Sequence, residues 1–426
     1  MWCCKLFQQM NQIESFIKNR RQLGIKPGLQ RMEKLLNLLG RPQEKLTTIH
    51  IAGTNGKGST AEFVKQGLIA NNYQVGMFTS PSLTGLRGHV FLNDEPIPEH
   101  LILDIWSEIY PAILQLDDME LHPSEFEIIT AIALFYFVDR TDIAIIEAGM
   151  GGREDTTNCI LPILSIITNI AKDHTAFLGD TISEIASHKA GIIKSGTPVI
   201  TGELCQEATE IVKKEATAKQ APIYRLGSNF TYHALQGNSI TWMQSPAMPY
   251  DLTINMPGEH QKDNASIAMM ALQLLTRAGF HLVISKVQSA FCRVKLIGRF
   301  EIVQNHPLII VDGAHNPAGI SRFLETMESN YKYMDRALLF AVFKDKDLEN
   351  MLHQLQGRFT SITLTTFNHP RAASVTEMQQ YGGEMIVEPN WQKAVNKMVN
   401  PNTVYFITGS LHFISFVRDY MNVNKR

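Results

Sequence analysis

The sequence predicts an α/β protein: a P-loop-type ATPase domain with a mostly parallel sheet, followed by a smaller Rossmann-like α/β domain. Three observations support this fold class. Short, uniformly apolar runs alternate with helical patterns along most of the chain, as in parallel sheets that helices cover on both faces. A glycine-rich turn, Gly53–Ser59, directly follows the first apolar run. The length of 426 residues exceeds one ordinary hydrophobic core, so we expect two domains.

The first predicted domain covers residues 1–296 and begins with short apolar runs that are rich in β-branched residues. We predict four strands from these runs: Thr47–Ala52, Gln74–Thr79, Ile143–Ala148 and Leu164–Asn169. Helical periodicity predicts four helices between and after them: Thr60–Ala70, Glu99–Ile113, Glu125–Val138 and Ile182–Ile193. This alternation favours a parallel sheet buried on both faces.

The segment Phe230–Met256 has a different character, because short alternating runs follow one another there without helices. The runs are Thr231–His233, Ser239–Met243 and Tyr250–Ile254. They predict a small antiparallel excursion from the main sheet. A helix over His260–Ala278 is expected to follow it.

The second predicted domain covers residues 297–426, with the boundary near Val294–Gly298. Five strands are predicted in it: Leu308–Val311, Ala337–Val342, Ser361–Thr366, Glu384–Val387 and Thr403–Thr408. Three helices are predicted between them: Ala318–Tyr331, Leu348–Gly357 and Trp391–Val399. This is a complete small α/β domain, and we expect Ile297 and Gly298 to supply a hinge before it.

Composition excludes several classes of function. A formal net charge of −2 provides no basic field, so nucleic acid is not an expected partner. No run of about 18 apolar residues is present, so no membrane partner is expected. The start, Met1–Asn19, reads as an amphipathic helix rather than a signal peptide. The five cysteines are scattered and odd in number, which suggests a reduced compartment and predicts a cytoplasmic location.

The turn after the first strand has the chemistry of a phosphate-binding loop. It reads Gly53, Thr54, Asn55, Gly56, Lys57, Gly58, Ser59, Thr60. Backbone N–H groups of such a turn bind phosphate oxygens, the lysine adds positive charge, and a hydroxyl can hold Mg²⁺. The spacing differs from the common P-loop, so either Ser59 or Thr60 could be that hydroxyl, and a merely flexible turn is the alternative.

Polar residues follow the other predicted strands as well. Ser80 follows the second strand, Glu147 ends the third, His174 lies beyond the fourth, and Asp312 follows the first strand of the second domain. Ligands of open parallel sheets bind beyond the carboxyl ends of the strands. We therefore expect a nucleoside triphosphate site in the cleft between the two domains.

Taken together, these motifs resemble the folylpolyglutamate synthase family, whose members are often bifunctional with dihydrofolate synthase and belong with the Mur ligases. The resemblance runs in order from about residue 25 to about residue 415. It is carried by Gly53–Ser59, Thr79-Ser80-Pro81, Phe126-Glu127, Glu147–Asn158, Asp173-His174, Lys189-Ala-Gly-Ile, His260-Gln261 with Asn264-Ala265, Gly298-Arg299 with Glu301, Asp312–Pro317 and Thr408–Leu411.

The resemblance implies a role for each matching residue. Lys57 and the loop residues 53–60 would bind ATP, together with Asn264, Arg299 and Asp312. The implied ligands of two Mg²⁺ ions are Ser59, Ser80, Glu147 and His174. Lys189 lies where many relatives carry a carbamylated lysine, and Lys57, Lys189 and His315 are the implied catalytic residues. The folate-binding residues implied are Ser82, Leu83 and Asp155.

The implied reaction is the ATP-dependent joining of L-glutamate to the γ-carboxylate of a folate through an acyl phosphate. The expected partners are therefore ATP, a folate or dihydropteroate, and L-glutamate, and the resemblance favours a monomer. The chain departs from the family pattern at Ser82-Leu83, Gly88–Val90, His188 and Ile297. Because the first two stretches lie in the loop that shapes the folate site in relatives, the preferred acceptor stays open.

Three other functions fit the sequence less well. A Mur ligase acting on a UDP-linked substrate would carry a further domain before the loop, and only 52 residues precede Gly53. A nucleotide-operated switch would need no acceptor site, whereas Asp312–Asn316 adds a polar strand end in the second domain. A purely structural α/β protein would not align so many polar motifs with strand ends.

Overall fold

The computed structural model describes residues 7–24, 26–82, 84–245 and 248–423. Its first sheet has eight strands: β1 Thr48–Ala52, β2 Val75–Phe78, β3 Val90–Leu92, β4 Glu95–Pro96, β5 Ile143–Glu147, β6 Leu164–Ile167, β7 Val199–Thr201 and β8 Ile223–Arg225. Their order is β4-β3-β2-β5-β1-β6-β7-β8. The six strands from β2 to β8 in this order are parallel, and β3 and β4 form an antiparallel edge. The fold class is thus confirmed as α/β with a mixed, mostly parallel sheet.

Helices cover both faces of this sheet. They are α1 Met10–Asn19, α2 Gln30–Leu38, α3 Lys57–Ile69, α4 Glu99–Asp118, α5 Glu125–Phe137, α6 Thr175–Leu178, α7 Ile182–Ala190 and α8 Gln206–Ala218. Side chains of β1 alternate between the two faces: Ile49 and Ile51 belong to one buried cluster, whereas His50 is buried on the other side. Because β1 lies between β5 and β6, the carboxyl ends of these three strands meet at one place.

The predicted antiparallel excursion is present as a separate three-stranded sheet. Its strands are β9 Thr231–Ala234, β10 Ser239–Met243 and β11 Tyr250–Thr253, in the order β11-β10-β9. Two helices follow, α9 Glu259–Arg277 and α10 Ile284–Phe291. Helix α9 lies tightly against α3, since a Cβ at Gly67 would come within 2.6 Å of Leu272 Cδ1.

The C-terminal sheet has six strands: β12 Glu301–Asn305, β13 Leu308–Val311, β14 Asp335–Phe340, β15 Ser361–Thr366, β16 Ile386–Asn390 and β17 Thr403–Thr408. Their order is β12-β13-β17-β14-β15-β16, with β12 antiparallel and the others parallel. The helices are α11 Pro317–Tyr331, α12 Leu348–Leu355, α13 Val375–Gln379, α14 Trp391–Asn396 and α15 Leu411–Val423. No helix among the described residues is both long and apolar enough to cross a bilayer.

Several element boundaries differ from the prediction for identifiable reasons. Helix α3 begins at Lys57, not Thr60, because Gly56 adopts a left-handed φ of 82° and starts the helix inside the glycine-rich turn. Helix α4 continues to Asp118 through Pro111. Four strands of the first sheet, β3, β4, β7 and β8, have three residues or fewer and were not predicted. In the C-terminal sheet, β12, which precedes β13, was not predicted either. Asp312 therefore follows the second strand of its sheet, not the first.

Candidate active site

The turn between β1 and α3 requires glycine at two positions. Gly56 has a φ of 82°, and a Cβ there would lie 2.4 Å from Asn264 Oδ1 of α9. A Cβ at Gly53 would lie 1.9 Å from Thr168 Oγ1. Both distances are shorter than any real contact of a Cβ atom. The glycines thus let the turn pass closely between the end of β6 and helix α9.

The backbone N–H groups of this turn divide into two sets. Thr54 N donates to Asn169 O at 3.0 Å and Asn55 N donates to Asn169 Oδ1 at 2.8 Å, so these two groups hold the turn in place. The N–H groups of Gly56, Lys57, Gly58 and Ser59 open helix α3 and have no acceptor within it, as at every helix start. Only this second set is available to an anion, and the helix dipole favours one there.

Lys57 and Glu147 face each other at the mouth of the turn. Lys57 Nζ donates to Gly53 O at 3.1 Å and lies 3.9 Å from Glu147 Oε1. Glu147, the last residue of β5, is buried, and its Oε2 accepts hydrogen bonds from Thr79 Oγ1 at 2.5 Å and Ser80 N at 3.4 Å. Burial raises the pKa of Glu147, although the charge of Lys57 opposes the shift.

Ser80 carries an unsatisfied buried oxygen beside this carboxylate. Its Oγ has no hydrogen-bond partner among the described residues. The Thr60 hydroxyl, by contrast, lies 3.4 Å from Asn264 Oδ1 and helps to join α3 to α9. An orphaned hydroxyl, a carboxylate with little counter-charge and the nearby Ser59 hydroxyl are the oxygen donors that Mg²⁺ prefers. The residues present therefore fit a magnesium ion.

His174, the histidine predicted as a metal ligand, lies among charged residues. His174 has a φ of 52°, and burial together with the charge of Lys346 lowers its pKa to about 4. Its ring is therefore neutral and has a free nitrogen lone pair. No cluster of three or more His, Cys, Asp or Glu side chains suited to a metal occurs in the described part of the chain. A metal held here would thus depend on hydroxyl and phosphate oxygens as well.

Asp173 joins the two sheets at the centre of the cleft. Its Oδ1 accepts a hydrogen bond from Lys346 Nζ at 2.6 Å, and its Oδ2 accepts one from Asn316 Nδ2 at 2.9 Å and lies 3.5 Å from His315 Nε2. Burial alone would raise the pKa of Asp173, but the hydrogen bond with His315 and the charge of Lys346 hold it far below its ordinary value. We call these four residues the Asp173 hub.

The glycine-rich turn is connected to the hub through two amides. Asn55 Nδ2 donates to Asn316 Oδ1 at 3.2 Å, and Asn316 Nδ2 donates to Asn55 Oδ1 at 3.1 Å. Asn316 also caps helix α11 by accepting a hydrogen bond from Gly319 N at 2.8 Å. The N-terminus of α11 and the glycine-rich turn are thereby held face to face, and His315 is brought to the same cleft.

Lys189 is fully buried in α7. Burial, together with the charge of Lys57, lowers the pKa of Lys189 to about 7. An uncharged fraction of this amine is therefore present at neutral pH.

Of the remaining residues predicted to bind ATP, Asn264 lies against the glycine-rich turn, whereas Arg299 and Asp312 flank the paired strands β12 and β13. Asn264 is buried, donates from Nδ2 to Gln261 Oε1 at 2.9 Å and covers Gly56, so it is not the helix-surface amide that it would be in isolation. Asp312 accepts hydrogen bonds from Phe300 N and Ala314 N, each at 2.9 Å. Burial raises the pKa of Asp312 and the charge of Arg299 opposes the shift.

The three residues predicted to bind folate differ in their surroundings. Ser82 Oγ donates to Gly85 O at 2.6 Å in an exposed loop. Leu83 lies outside the described residues. Asp155 is buried and accepts hydrogen bonds from Met150 N at 2.8 Å and Thr157 N at 3.0 Å. Its carboxylate therefore shapes the turn after β5, and Phe126 lies over the same turn.

Five residues of the site were not identified as functional from the sequence: Thr79, Asn169, Asp173, Asn316 and Lys346. Three of them stand inside the quoted motifs, so the positions of Thr79, Asp173 and Asn316 beside predicted site residues were a usable signal. Asn169 ends a predicted strand, where polar residues were already taken as meaningful. Lys346 lies in a charged loop and offered no such signal.

Comparison with known proteins defines the class first. The Mur ligase middle domain model matches residues 51–272, and the model of the Mur ligase, glutamate ligase domain matches residues 298–411. These matches, the two sheets and the phosphate-binding turn define an ATP-dependent ligase of the Mur ligase superfamily.

Similarity to individual proteins shows which family of this superfamily the chain belongs to. The chain is 35% identical to the dihydrofolate synthase/folylpolyglutamate synthase of Bacillus subtilis, over 97% of this chain and 99% of the relative. It is 32% identical to the folylpolyglutamate synthase of Lacticaseibacillus casei, over 91% and 93% of the two chains. The structure superposes on Mycobacterium tuberculosis folylpolyglutamate synthase complexed with ADP and AMPPCP with a TM-score of 0.88 and 30% identity, covering 97% of this chain and 98% of the other. It superposes on E. coli FolC in complex with DHPP and ADP with a TM-score of 0.89, at 26% identity and 98% coverage of both chains. The chain belongs to the dihydrofolate synthase/folylpolyglutamate synthase family.

Proposed function

We propose that this chain uses ATP to add L-glutamate to the γ-carboxylate of folates and to the carboxylate of dihydropteroate. The observation that carries the proposal is the pairing of an under-compensated carboxylate, Glu147, and an orphaned hydroxyl, Ser80, with the anion-binding turn at Lys57. This arrangement suits a triphosphate with its cations. The Asp173 hub, which the Asn55–Asn316 pair joins to this turn, supplies the groups that attack by an amine needs.

The chemistry explains why such an arrangement is required. A carboxylate must approach the γ-phosphate of ATP, and two unit charges about 4 Å apart repel by about 4 kcal/mol at an effective dielectric constant of 20. In the proposed first step, a carboxylate oxygen of the acceptor attacks the γ-phosphorus and ADP leaves, which gives an acyl phosphate. Lys57 and the N–H groups of Gly56–Ser59 offset the negative charge of the phosphates.

We further propose that Ser59, Ser80, Glu147 and His174 hold two Mg²⁺ ions. Support comes from the orphaned Ser80 hydroxyl, the raised pKa of Glu147 and the neutral ring of His174. Of the two candidate hydroxyls, Ser59 is preferred, because Thr60 already binds Asn264. When bound, magnesium would neutralise the phosphates and stabilise the charge that develops during phosphoryl transfer.

His315 is proposed to act in the second step, in which the amine of L-glutamate attacks the acyl carbon and phosphate leaves. His315 Nδ1 lies 2.8 Å from Gly313 O and donates its proton to this carbonyl. Nε2 is therefore the nitrogen that would exchange a proton with the amine. Asp173 Oδ2, 3.5 Å from Nε2, would stabilise the protonated ring.

Lys189 is proposed to be carbamylated. An amine with a pKa of about 7 has the neutral form that reacts with carbon dioxide, and the product is an anion suited to a metal. The carbamate carbon is observable by NMR when the protein is equilibrated with ¹³C-bicarbonate. Lys189→Arg should lack this signal, and a wild-type protein without it would contradict this part of the proposal.

The nucleoside of ATP is proposed to lie against Asn264, Arg299 and Asp312, and the acceptor against Ser82, Leu83 and Asp155. Support comes from the position of Asn264 over Gly56 and from the proximity of Asp155 to Phe126. We also propose a cytoplasmic, monomeric protein. The described cysteines, Cys159, Cys205 and Cys292, are free, which fits a reducing compartment, and light scattering would measure the mass of the particle.

The decisive experiment measures phosphate release by the purified protein with ATP and Mg²⁺. A ligase should release phosphate rapidly only when both an acceptor and L-glutamate are present. Separate assays with tetrahydrofolate and with dihydropteroate, each with radiolabelled glutamate, identify the acceptors. Slow hydrolysis that neither substrate accelerates would instead indicate a nucleotide-operated switch and would overturn the proposal.

A further inference from the structure

A chain of three buried polar side chains leads from the centre of the first sheet to the turn after β5. His50 lies in β1 between β5 and β6, and its side chain is fully buried. His50 Nε2 is 2.8 Å from Thr157 Oγ1, and Thr157 Oγ1 is 2.5 Å from Asp155 Oδ1. The catalytic steps proposed above use neither His50 nor Thr157.

The direction of these hydrogen bonds can be worked out. Asp155 accepts backbone N–H groups on both oxygens, from Thr157 on Oδ1 and from Met150 on Oδ2, as a carboxylate does. The Thr157 hydroxyl therefore donates its proton to Oδ1, and its lone pair accepts from His50 Nε2–H. Burial lowers the pKa of His50 to about 3, so the ring is neutral and has only this one N–H. Its Nδ1 then carries no proton, in agreement with the lack of a partner for this atom among the described residues.

This series of hydrogen bonds ends at the carboxylate of Asp155, which lies beside the aromatic ring of Phe126. A Cβ at Gly149 would lie 2.7 Å from Phe126 Cζ and 3.3 Å from Asp155 Oδ2, so the ring and the carboxylate oxygen share the space over this turn. Three hydrogen bonds reach the Asp155 carboxylate, and the Gly149 N–H interacts with it as a fourth donor. Oδ2, which accepts one of the three, is next to a ring on which a flat aromatic ligand can stack.

We infer that His50 and Thr157 are positioning residues for the acceptor, which fix the Asp155 carboxylate beside Phe126 so that it can bind an N–H donor of an aromatic ring system. The inference rests on the proposed function, because it takes Asp155 as part of the acceptor site. The hydrogen bond from Thr157 to Asp155 is the shorter of the two links, and it favours the ionised carboxylate although burial raises the pKa of Asp155. Its loss should let the carboxylate turn away from the acceptor without affecting the phosphate-binding turn.

The test compares Thr157→Val, which keeps the shape but removes the hydroxyl, with Thr157→Ser, which keeps it. Steady-state KM values are measured for the acceptor, tetrahydrofolate or dihydropteroate, and for ATP. We expect Thr157→Val to raise the acceptor KM by about tenfold or more, with the KM for ATP within about twofold of wild type. Thr157→Ser should restore the acceptor KM to within about threefold. An unchanged acceptor KM in Thr157→Val, or an equal rise in both KM values, would overturn the inference.

A second pair of variants tests His50, the residue at the buried end of this series of hydrogen bonds. The amide nitrogen of His50→Gln can occupy the position of Nε2, whereas that of His50→Asn is placed as Nδ1 is. We expect His50→Gln to keep an acceptor KM near that of wild type and His50→Asn to resemble Thr157→Val. The melting temperature of each variant is recorded, so a general loss of packing is recognised. Equal acceptor KM values for the two His50 variants would contradict the inference even if Thr157→Val failed to fold.

These outcomes are separable from a failure of the proposed function. If the wild-type protein consumed no ATP in response to any folate or pteroate, the proposed function would be wrong. If Phe126→Leu raised the acceptor KM but the Thr157 and His50 pairs did not, the acceptor site would stand. Only the positioning role of His50 and Thr157 would then be rejected.

Discussion

Glu147 and Asp173 are two buried carboxylates at or beyond the ends of β5 and β6, the strands on either side of β1, and their surroundings are opposite. Asp173 has Lys346 at 2.6 Å, Asn316 at 2.9 Å and His315 at 3.5 Å, and its pKa is far below the ordinary value. Glu147 has Lys57 at 3.9 Å and the weaker influence of the Arg299 charge, and burial raises its pKa in spite of both. The difference lies in how much positive charge the protein itself provides.

We interpret this difference as that between a structural carboxylate and one that binds a further cation. A buried charge must be paired, hydrogen-bonded or bound to a metal. Asp173 meets this requirement through close partners within the chain and fixes the two sheets relative to each other. Glu147 has two hydrogen bonds and a more distant lysine, its pKa is raised, and the Ser80 hydroxyl next to it has no hydrogen-bond partner among the described residues. The contrast can be tested by removing the cations on each side in turn.

The largest effect is expected for Lys57→Ala. Lys57 is the cation nearest Glu147 and stands at the anion-binding turn, so its removal should lower the rate of phosphate release by about 10³-fold or more. The circular dichroism spectrum should be unchanged. The exposed Lys45→Ala serves as the control and should keep wild-type activity. Wild-type turnover by Lys57→Ala would remove Lys57 from the mechanism.

The second variant, Glu147→Gln, tests whether Glu147 requires an added cation. It keeps the shape of the side chain and removes the charge, so turnover should fall about 10²- to 10³-fold. Magnesium with ADP should raise the melting temperature of wild type, because a ligand that binds only the folded state stabilises it. It should raise that of Glu147→Gln much less. An equal rise in both proteins would show that the carboxylate does not contribute to binding the cation.

Lys346→Met tests the opposite side of the comparison. Both side chains of the Lys346–Asp173 pair are at least 90% buried, at 5% and 7% exposure. Removing one partner leaves an uncompensated charge, which should lower the free energy of unfolding by about 3–5 kcal/mol in urea titrations. The double variant with Asp173→Asn should recover part of the loss.

Lys344→Met, two residues away and exposed, is the matched control for the hub and should change stability by less than about 0.5 kcal/mol. If Lys346→Met were as stable as this control, the Asp173 hub would not hold the sheets together. If it lost activity while keeping full stability, Lys346 would belong to the catalytic machinery instead.

The sequence predicted one of these two environments much better than the other. Lys57 and Glu147 lie in short motifs at the ends of strongly apolar strands, where local sequence determines both the strand and the turn. Lys346 lies in the charged loop segment Phe343–Lys346, which is typical of a surface. Its partner is 173 residues away, and no local pattern predicts a contact across that separation.

The prediction of the strands was limited in the same way, by what the local sequence specifies. The central strands β1, β5 and β6 were predicted because both of their faces are buried, which leaves a continuous apolar run. The edge strands β3, β4 and β12 were missed, since they are short or partly exposed and their pairing depends on neighbours that the local sequence does not specify. The start of α3 was placed too late because a glycine within a helix lowers its apparent propensity.

The smallest expected effect is on the pH dependence of stability without metal. The pKa of Asp173 is lower in the folded than in the unfolded protein, so its stabilising contribution is full above about pH 4 and is lost as pH falls further. The pKa of Glu147 is higher in the folded protein, so its ionised form opposes folding at neutral pH and this cost disappears as pH falls through the folded pKa.

Each pKa unit corresponds to about 1.4 kcal/mol. In urea titrations in EDTA, the stability advantage of Glu147→Gln over wild type should therefore shrink as the pH is lowered, whereas the deficit of Asp173→Asn should persist down to about pH 4. Parallel pH profiles for the two variants would mean that the two carboxylates are compensated alike.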